Sequence, residues 1–198
     1  MRKLSILAVV LLVLTGCTSE KVFIENNNVT SELTDEGETM EIMNATGTVE
    51  SIADARMEQI INIINNQDEK KVYEIFSTEA KNNADDFEEG VDKLFTYING
   101  DIISWKRADL PGEKGKTKDG RKTQREIDSY YYLSTEKEDY FVVMIDYPID
   151  IDNPGNQGLY LFLIVKEKDA DKVFDGNEKI LFDGNTKLIP AGINIPLE

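Results

Sequence analysis

The chain has 198 residues, with 22 basic against 38 acidic side chains and a net charge of −16. Such an acidic surface repels nucleic acid, whose binding rests on neutralising phosphates, so no nucleic-acid partner is expected. The absence of histidine excludes Ser-His-Asp hydrolysis and histidine-ligated zinc, and one cysteine cannot form an internal disulfide.

The N-terminus carries Arg2 and Lys3, then an apolar run from Leu4 to Leu14 interrupted only by Ser5. A spanning helix needs about 20 apolar residues, and this run stops short at the small residues Thr15 and Gly16, as a cleaved export signal does. Leu14-Thr15-Gly16-Cys17 resembles a bacterial lipobox, in which the thiol receives a diacylglycerol and cleavage falls directly before it. The expectation is a signal peptide over residues 1–16, lipid attachment at Cys17, and a membrane partner held through that diacylglycerol. Two acyl chains anchor stably where one is marginal. The mature chain would keep 20 basic and 38 acidic side chains, a charge of −18, on the extracytoplasmic face of a bacterial cell membrane. With Cys17 lipidated, no thiol remains as a nucleophile, which leaves Asp, Glu, Tyr, Lys and Ser.

Residues 17–47 are rich in Asn, Thr, Ser and Glu and hold no period, the composition of a disordered tether. A single α+β domain is expected over residues 48–198. Ser51-x-x-Asp54 can cap a first helix carrying Ala53, Met57, Ile60 and Ile64 on one face. Asp68 opens a second with Val72, Ile75, Phe76 and Ala80. Asp85-x-x-Glu88 starts a third, where Phe87, Val91, Leu94, Phe95 and Ile98 recur before Asn99-Gly100 ends it. All three stripes read as core.

After Gly100 the period changes to that of strands. Asp101–Ala108 is the first candidate, and in Arg125–Leu133 the residues Ile127, Tyr131 and Leu133 alternate with Glu126, Asp128, Tyr130 and Tyr132. Tyr140–Tyr147 and Leu159–Val165 are apolar on both faces, as inner strands of a covered sheet are. Ile180–Phe182 and Lys187–Ile189 add two short candidates. Helices followed by a meander give an α+β class: three N-terminal helices on a curved antiparallel sheet of four to six strands, with a cone-like space between the layers.

The helical start from Ala53 to Lys81 and the step Tyr97-Ile98-Asn99-Gly100-Asp101 into a Trp strand lead on to Tyr132-Leu133-Ser134-Thr135. Asp146-Tyr147-Pro148, with Asp150, Asp152, Asn153 and Pro154, then runs to Gly158-Leu159-Tyr160. Over residues 52–166 this resembles an uncharacterised domain family of Gram-positive, clostridial-type lipoproteins, itself similar to the nuclear-transport-factor-2-like or cystatin-like fold. The resemblance implies that fold and no functional residue.

Trp105, Tyr131 and Tyr147 are the candidate walls of a ligand pocket between helices and sheet. Ketosteroid isomerase works with an Asp base and an oxyanion hole of Tyr and protonated Asp, so Asp146 beside these tyrosines offers a histidine-free enzyme as one alternative. No catalytic residue is assigned. A calcium loop at Asp150-x-Asp152 fails because Pro154 and Leu161 occupy ligand positions, and no metal or cofactor is expected. Between Lys106 and Arg125 eight cations face three acids, a net +5, on what reads as a solvated hairpin tip. Lys114, Lys116, Lys118, Arg121 and Lys122 are the candidate basic contact for anionic lipid head groups or cell-wall polyanions. The apolar second face of the inner strands needs a cover: the C-terminal tail, a second copy or a protein partner. The preferred reading is a non-catalytic ligand- or protein-binding lipoprotein; the other alternative is a structural or assembly role through the sheet face.

Overall fold

The computed structural model describes residues 47–174 and 190–196. Cys17, residues 18–46 and the strands expected at Ile180–Phe182 and Lys187–Ile189 lie outside the described residues.

Among the described residues four helices precede the sheet, where the periodicity predicts three. Helix α1 (Val49–Asn66) is capped by Thr48, whose side chain accepts from the Ser51 N–H, and it buries Ile52, Met57, Ile60 and Ile63. The second pattern divides into α2 (Glu69–Ile75), capped by Asp68, and α3 (Thr78–Asn83), capped by Ser77. Between them Phe76 is extended and bridges Leu159, and the Ser77 N–H donates to the Leu159 carbonyl across 3.0 Å. The helix breaks because its backbone is taken up by the sheet. Gly158 makes room at φ +117°, where a Cβ would lie 2.8 Å from the Ile75 carbonyl oxygen. Helix α4 (Phe87–Tyr97) is capped by Asp86, one residue past the expected Asp85.

The strands are β1 (Ser104–Arg107), β2 (Gly112–Lys118), β3 (Arg121–Ser134), β4 (Asp139–Asp150), β5 (Gly158–Lys166) and β6 (Gly192–Asn194). They form one sheet in the order β1-β3-β4-β5-β6, and β2 shares with β1 the outer edge of the long β3. The expected solvated tip is a strand pair, turned by Asp119 and Gly120 at φ 51° and 77°, the double positive φ that two-residue hairpins favour. The sheet is mixed, not wholly antiparallel: β6 runs parallel to β5, with Leu161 opposite Gly192. A parallel neighbour needs a long connection, and of the residues after β5 the described ones form a 3-10 turn at Glu167–Asp169 and the short helix α5 (Ala170–Val173).

The helices cover one face of this sheet. Met57, Ile60, Ile127, Tyr131, Val142, Met144, Phe162 and Ile164 fill the space between the layers. On the opposite face Tyr130, Phe141, Val143, Leu163 and Val165 form a second cluster with Val173. Phe174 stacks there, its ring centroid 4.5 Å from Tyr130 and 5.8 Å from Phe141. The C-terminal tail thus supplies part of the cover that two-sided apolar strands demand.

Candidate functional site

Helix α1 carries two charged residues onto the sheet. The Tyr131 hydroxyl donates to Asp54 Oδ1 across 3.0 Å. Arg107 of β1 grips the same carboxylate through Nε and Nη2 at 2.8 and 2.7 Å, the paired geometry in which guanidinium binds best. Trp105 meets Tyr131 edge-on, with centroids 5.5 Å apart. Burial pushes the Tyr131 phenol well above its ordinary value, and the Asp54 charge and hydrogen bond add to that shift.

Two residues further along α1, Arg56 is buried with Nη2 3.2 Å from Asp146 Oδ1, and its Nη1 donates to Gln59 at 2.6 Å. Among the described residues Arg56 Nε and both Asp146 carboxylate oxygens have no hydrogen-bond partner, so charge rather than hydrogen-bond geometry holds this pair.

Tyr147 lies on the other side of the sheet. Successive strand residues alternate in direction, so with Asp146 turned toward α1 its neighbour must turn out. The Tyr147 hydroxyl donates to Glu126 Oε2 across 2.7 Å, and its ring meets Tyr160 edge-on at 5.6 Å. Burial and then the Glu126 bond raise this phenol as well. The expected pocket of Trp105, Tyr131 and Tyr147 is therefore corrected. Trp105 and Tyr131 meet on the inner face, Tyr147 stands apart, and the space between the layers is filled with side chains.

The basic hairpin is real, but its cations differ. Lys114 is bound to Asp128 at 2.7 Å and Glu126 at 3.2 Å, and Lys122 is paired with Glu113. Lys116, Lys118 and Arg121 are exposed, with no carboxylate in ion-pair contact among the described residues. At the hairpin's base the buried Arg125 holds Glu113 and donates through Nη1 to the Gly47 carbonyl across 3.1 Å.

The carboxylates near the Pro154 turn do not converge. Asp150 accepts from the Asn153 N–H, Asn156 and Gln124 at 2.9, 3.0 and 3.1 Å, which closes the β4–β5 connection, while Asp152 is exposed. Two surface hollows lie elsewhere: one at the Thr135–Asp139 turn, the other against Tyr132, Phe141 and Phe174. Among the described residues no helix is long and apolar enough to cross a membrane.

The inner clusters were only partly legible in the sequence. Arg56 falls on the apolar stripe of α1, four residues from both Ile52 and Ile60, and a charge at such a position demands a buried partner. Asp54 looks like a capping residue because it follows Ser51 by three, and nothing local marks Arg107 as its mate.

Against known families, the model described as Domain of unknown function (DUF5104) matches residues 59–167. The chain belongs to the DUF5104 family. No curated protein matches it. The DUF5104 span opens inside α1 and closes just after β5, near the limits 52–166 of the resemblance. Within it lie Trp105, Arg107, Tyr131, Asp146, Tyr147 and the whole β2–β3 hairpin; Asp54 and Arg56 precede it.

Proposed function

We propose that this DUF5104 protein is a lipoprotein of a Gram-positive cell, held through Cys17 on the outer membrane face, whose folded domain acts by binding and not by catalysis. The observation that carries the second half is the filled interior. Met57, Ile127, Tyr131, Met144 and Phe162 are all essentially without solvent exposure where an interior ligand would sit. The carboxylates of that region are engaged: Asp54 by Arg107 and Tyr131, Asp146 by Arg56. The Asp54–Tyr131 pair has the components of an acid–base site. Yet the arginine clamp and the high phenol pKa suit a bolt between layers better than a proton relay.

We read the layering as nuclear-transport-factor-2-like. A long α1 lies across a largely antiparallel sheet, and irregularities at Arg125/Ile127 in β3 and Ile145/Asp146 in β4 fall where such a sheet bends. With its interior occupied, a domain of this shape meets partners through its surface.

The anchor is tested by replacing Cys17 with Ser in cells expressing the full chain. The proposal requires wild type to fractionate with membranes in its processed form, and the variant to remain unprocessed. Identical processing of both chains would remove the anchor.

A further inference from the structure

The described chain begins at Gly47, and Gly47 is fastened to the base of the cationic hairpin. Arg125 Nη1 donates to its carbonyl across 3.1 Å, and Arg125 sits opposite Gly115 in the β2–β3 ladder. From that point the hairpin runs outward. The last backbone bond from the neighbouring strand is Ile151 N–H to the Thr123 carbonyl, at 2.8 Å. Beyond it the β2–β3 pair continues alone to the Asp119–Gly120 turn, a projection of roughly 10 Å at 3.3 Å per residue.

The projecting part carries the charge. Lys118 faces Arg121 across the ladder, and Lys116 lies on the same side two residues back. Asp119 is the one acid in the turn, and Asp150 near Lys116 is already held by Asn153, Asn156 and Gln124. Lys114, next in this row, is neutralised by Asp128 and Glu126. Among the described residues the cations with no carboxylate in ion-pair contact are therefore Lys118 and Arg121 beside the turn and Lys116 just behind them, while Lys122, opposite Thr117, is held by Glu113. The Debye length is about 8 Å at physiological salt, so a projection of this size lets the tip meet an anionic surface while the body's charge is largely screened.

We propose that this hairpin is a docking surface for anionic membrane lipid, with Lys116, Lys118 and Arg121 contacting phosphate head groups. The inference rests on the lipid-anchored reading for its choice of partner. If residues 17–47 lead from the membrane, they deliver the domain with its cationic tip beside the point of attachment. A soluble polyanion would profit from no such placement. The hairpin then fixes which side of the domain faces the bilayer and leaves the rest turned outward.

The test uses the full chain with Cys17→Ser, so that no acyl chain contributes, compared with the same chain also carrying K116E/K118E/R121E. Both are mixed with vesicles of phosphatidylcholine, with or without one quarter phosphatidylglycerol, in 50 and 500 mM salt. The leader is common to both chains, so their difference reads the hairpin alone, and circular dichroism with a melting curve verifies the fold. A neutral K116Q/K118Q/R121Q chain serves if the reversed one is damaged.

Each basic residue at such a surface changes partition roughly five-fold. The expected result is at least a tenfold stronger binding of the unreversed chain to the phosphatidylglycerol vesicles, intermediate binding of the neutral chain, and loss of the difference in 500 mM salt. Equal binding of all chains overturns the proposal. So does a gain of vesicle binding only after residues 18–46 are deleted, which would mean that the acidic N-terminal segment occupies the hairpin. Binding of soluble poly(glycerol phosphate) by the unreversed chain, with no preference for the phosphatidylglycerol vesicles, overturns it too and would transfer the site to a wall polymer. The anchor itself is read separately, from lipid on Cys17, so either idea can fail while the other stands.

Discussion

Arg56 of α1 and Asp146 of β4 face each other across 3.2 Å, buried between the helix layer and the sheet. Both are almost wholly buried, and among the described residues the Asp146 oxygens have no hydrogen-bond partner. Breaking such a pair from one side strands a charge, at a cost of about 3–5 kcal/mol, whereas replacing both partners with apolar groups is often neutral or better. Arg56→Met is therefore expected to lower unfolding free energy by that amount in a urea titration, and Arg56→Met with Asp146→Leu to recover most of it. Equal losses in the single and double variants would contradict this account of the pair.

Tyr131 and Tyr147 hold their protons for one reason on two faces of the sheet: burial, reinforced by a carboxylate acceptor, Asp54 or Glu126. A phenol whose folded pKa is raised contributes stability that is whole below the ordinary value near 10. That contribution is lost as pH rises and the unfolded chain ionises first. Absorbance at 295 nm should show a clearly smaller fraction of the eight tyrosines ionised at pH 11 in the folded protein than in guanidinium, where about nine-tenths of the phenol is ionised. Tyr131→Phe should remove one late-titrating group and cost about 1 kcal/mol, since Arg107 still satisfies Asp54.

Asp150 behaves in the opposite sense. Burial works to raise its carboxyl, but hydrogen bonds from Asn156, the Asn153 N–H and Gln124 outweigh it and leave the pKa below 3.8. The stability it contributes is present above the usual carboxylate range and is lost as pH falls through the lowered folded value. Asp150→Asn should cost about 1–2 kcal/mol at neutral pH and make the acid limb of the stability curve shallower. An unchanged acid limb would rule out this role.

Gly192 seats the last strand. At φ +87° it has a backbone that other residues adopt only under strain, and a Cβ there would meet the Ala84 Cβ at 2.8 Å. Gly192→Ala is expected to destabilise by about 1–3 kcal/mol. Faster amide exchange in β5 residues Leu161–Leu163, which pair with β6, would localise the effect.

The parts of this molecule that follow from local pattern were legible from residues alone. The alternation of Ile127, Tyr131 and Leu133 against Glu126, Asp128 and Tyr132 is the alternation of inner and outer faces in β3. The doubly apolar runs are the two central strands, β4 and β5. What escaped depends on distant partners. Helix α2 stops at Ile75 because Leu159, more than eighty residues away, takes up the backbone of Phe76 and Ser77. Gly192–Asn194 is too short to announce itself as a strand, and its parallel pairing is set by the crossover. Tyr147 resembles Tyr131 as a strand tyrosine, but strand parity relative to Asp146 assigns it to the opposite face. The hairpin's charge was visible, but which of its cations are free depends on cross-strand partners: Lys114 on Glu126 and Asp128, Lys122 on Glu113.

The anchor is the claim on which the functional reading turns, and the N-terminal peptide of the protein recovered from membranes tests it most directly. Tryptic digestion and mass spectrometry should yield a peptide that begins at Cys17, ends at Lys21 and carries the mass of a diacylglyceryl group. An unmodified Cys17, or a mature chain that starts at any other residue, would contradict the account.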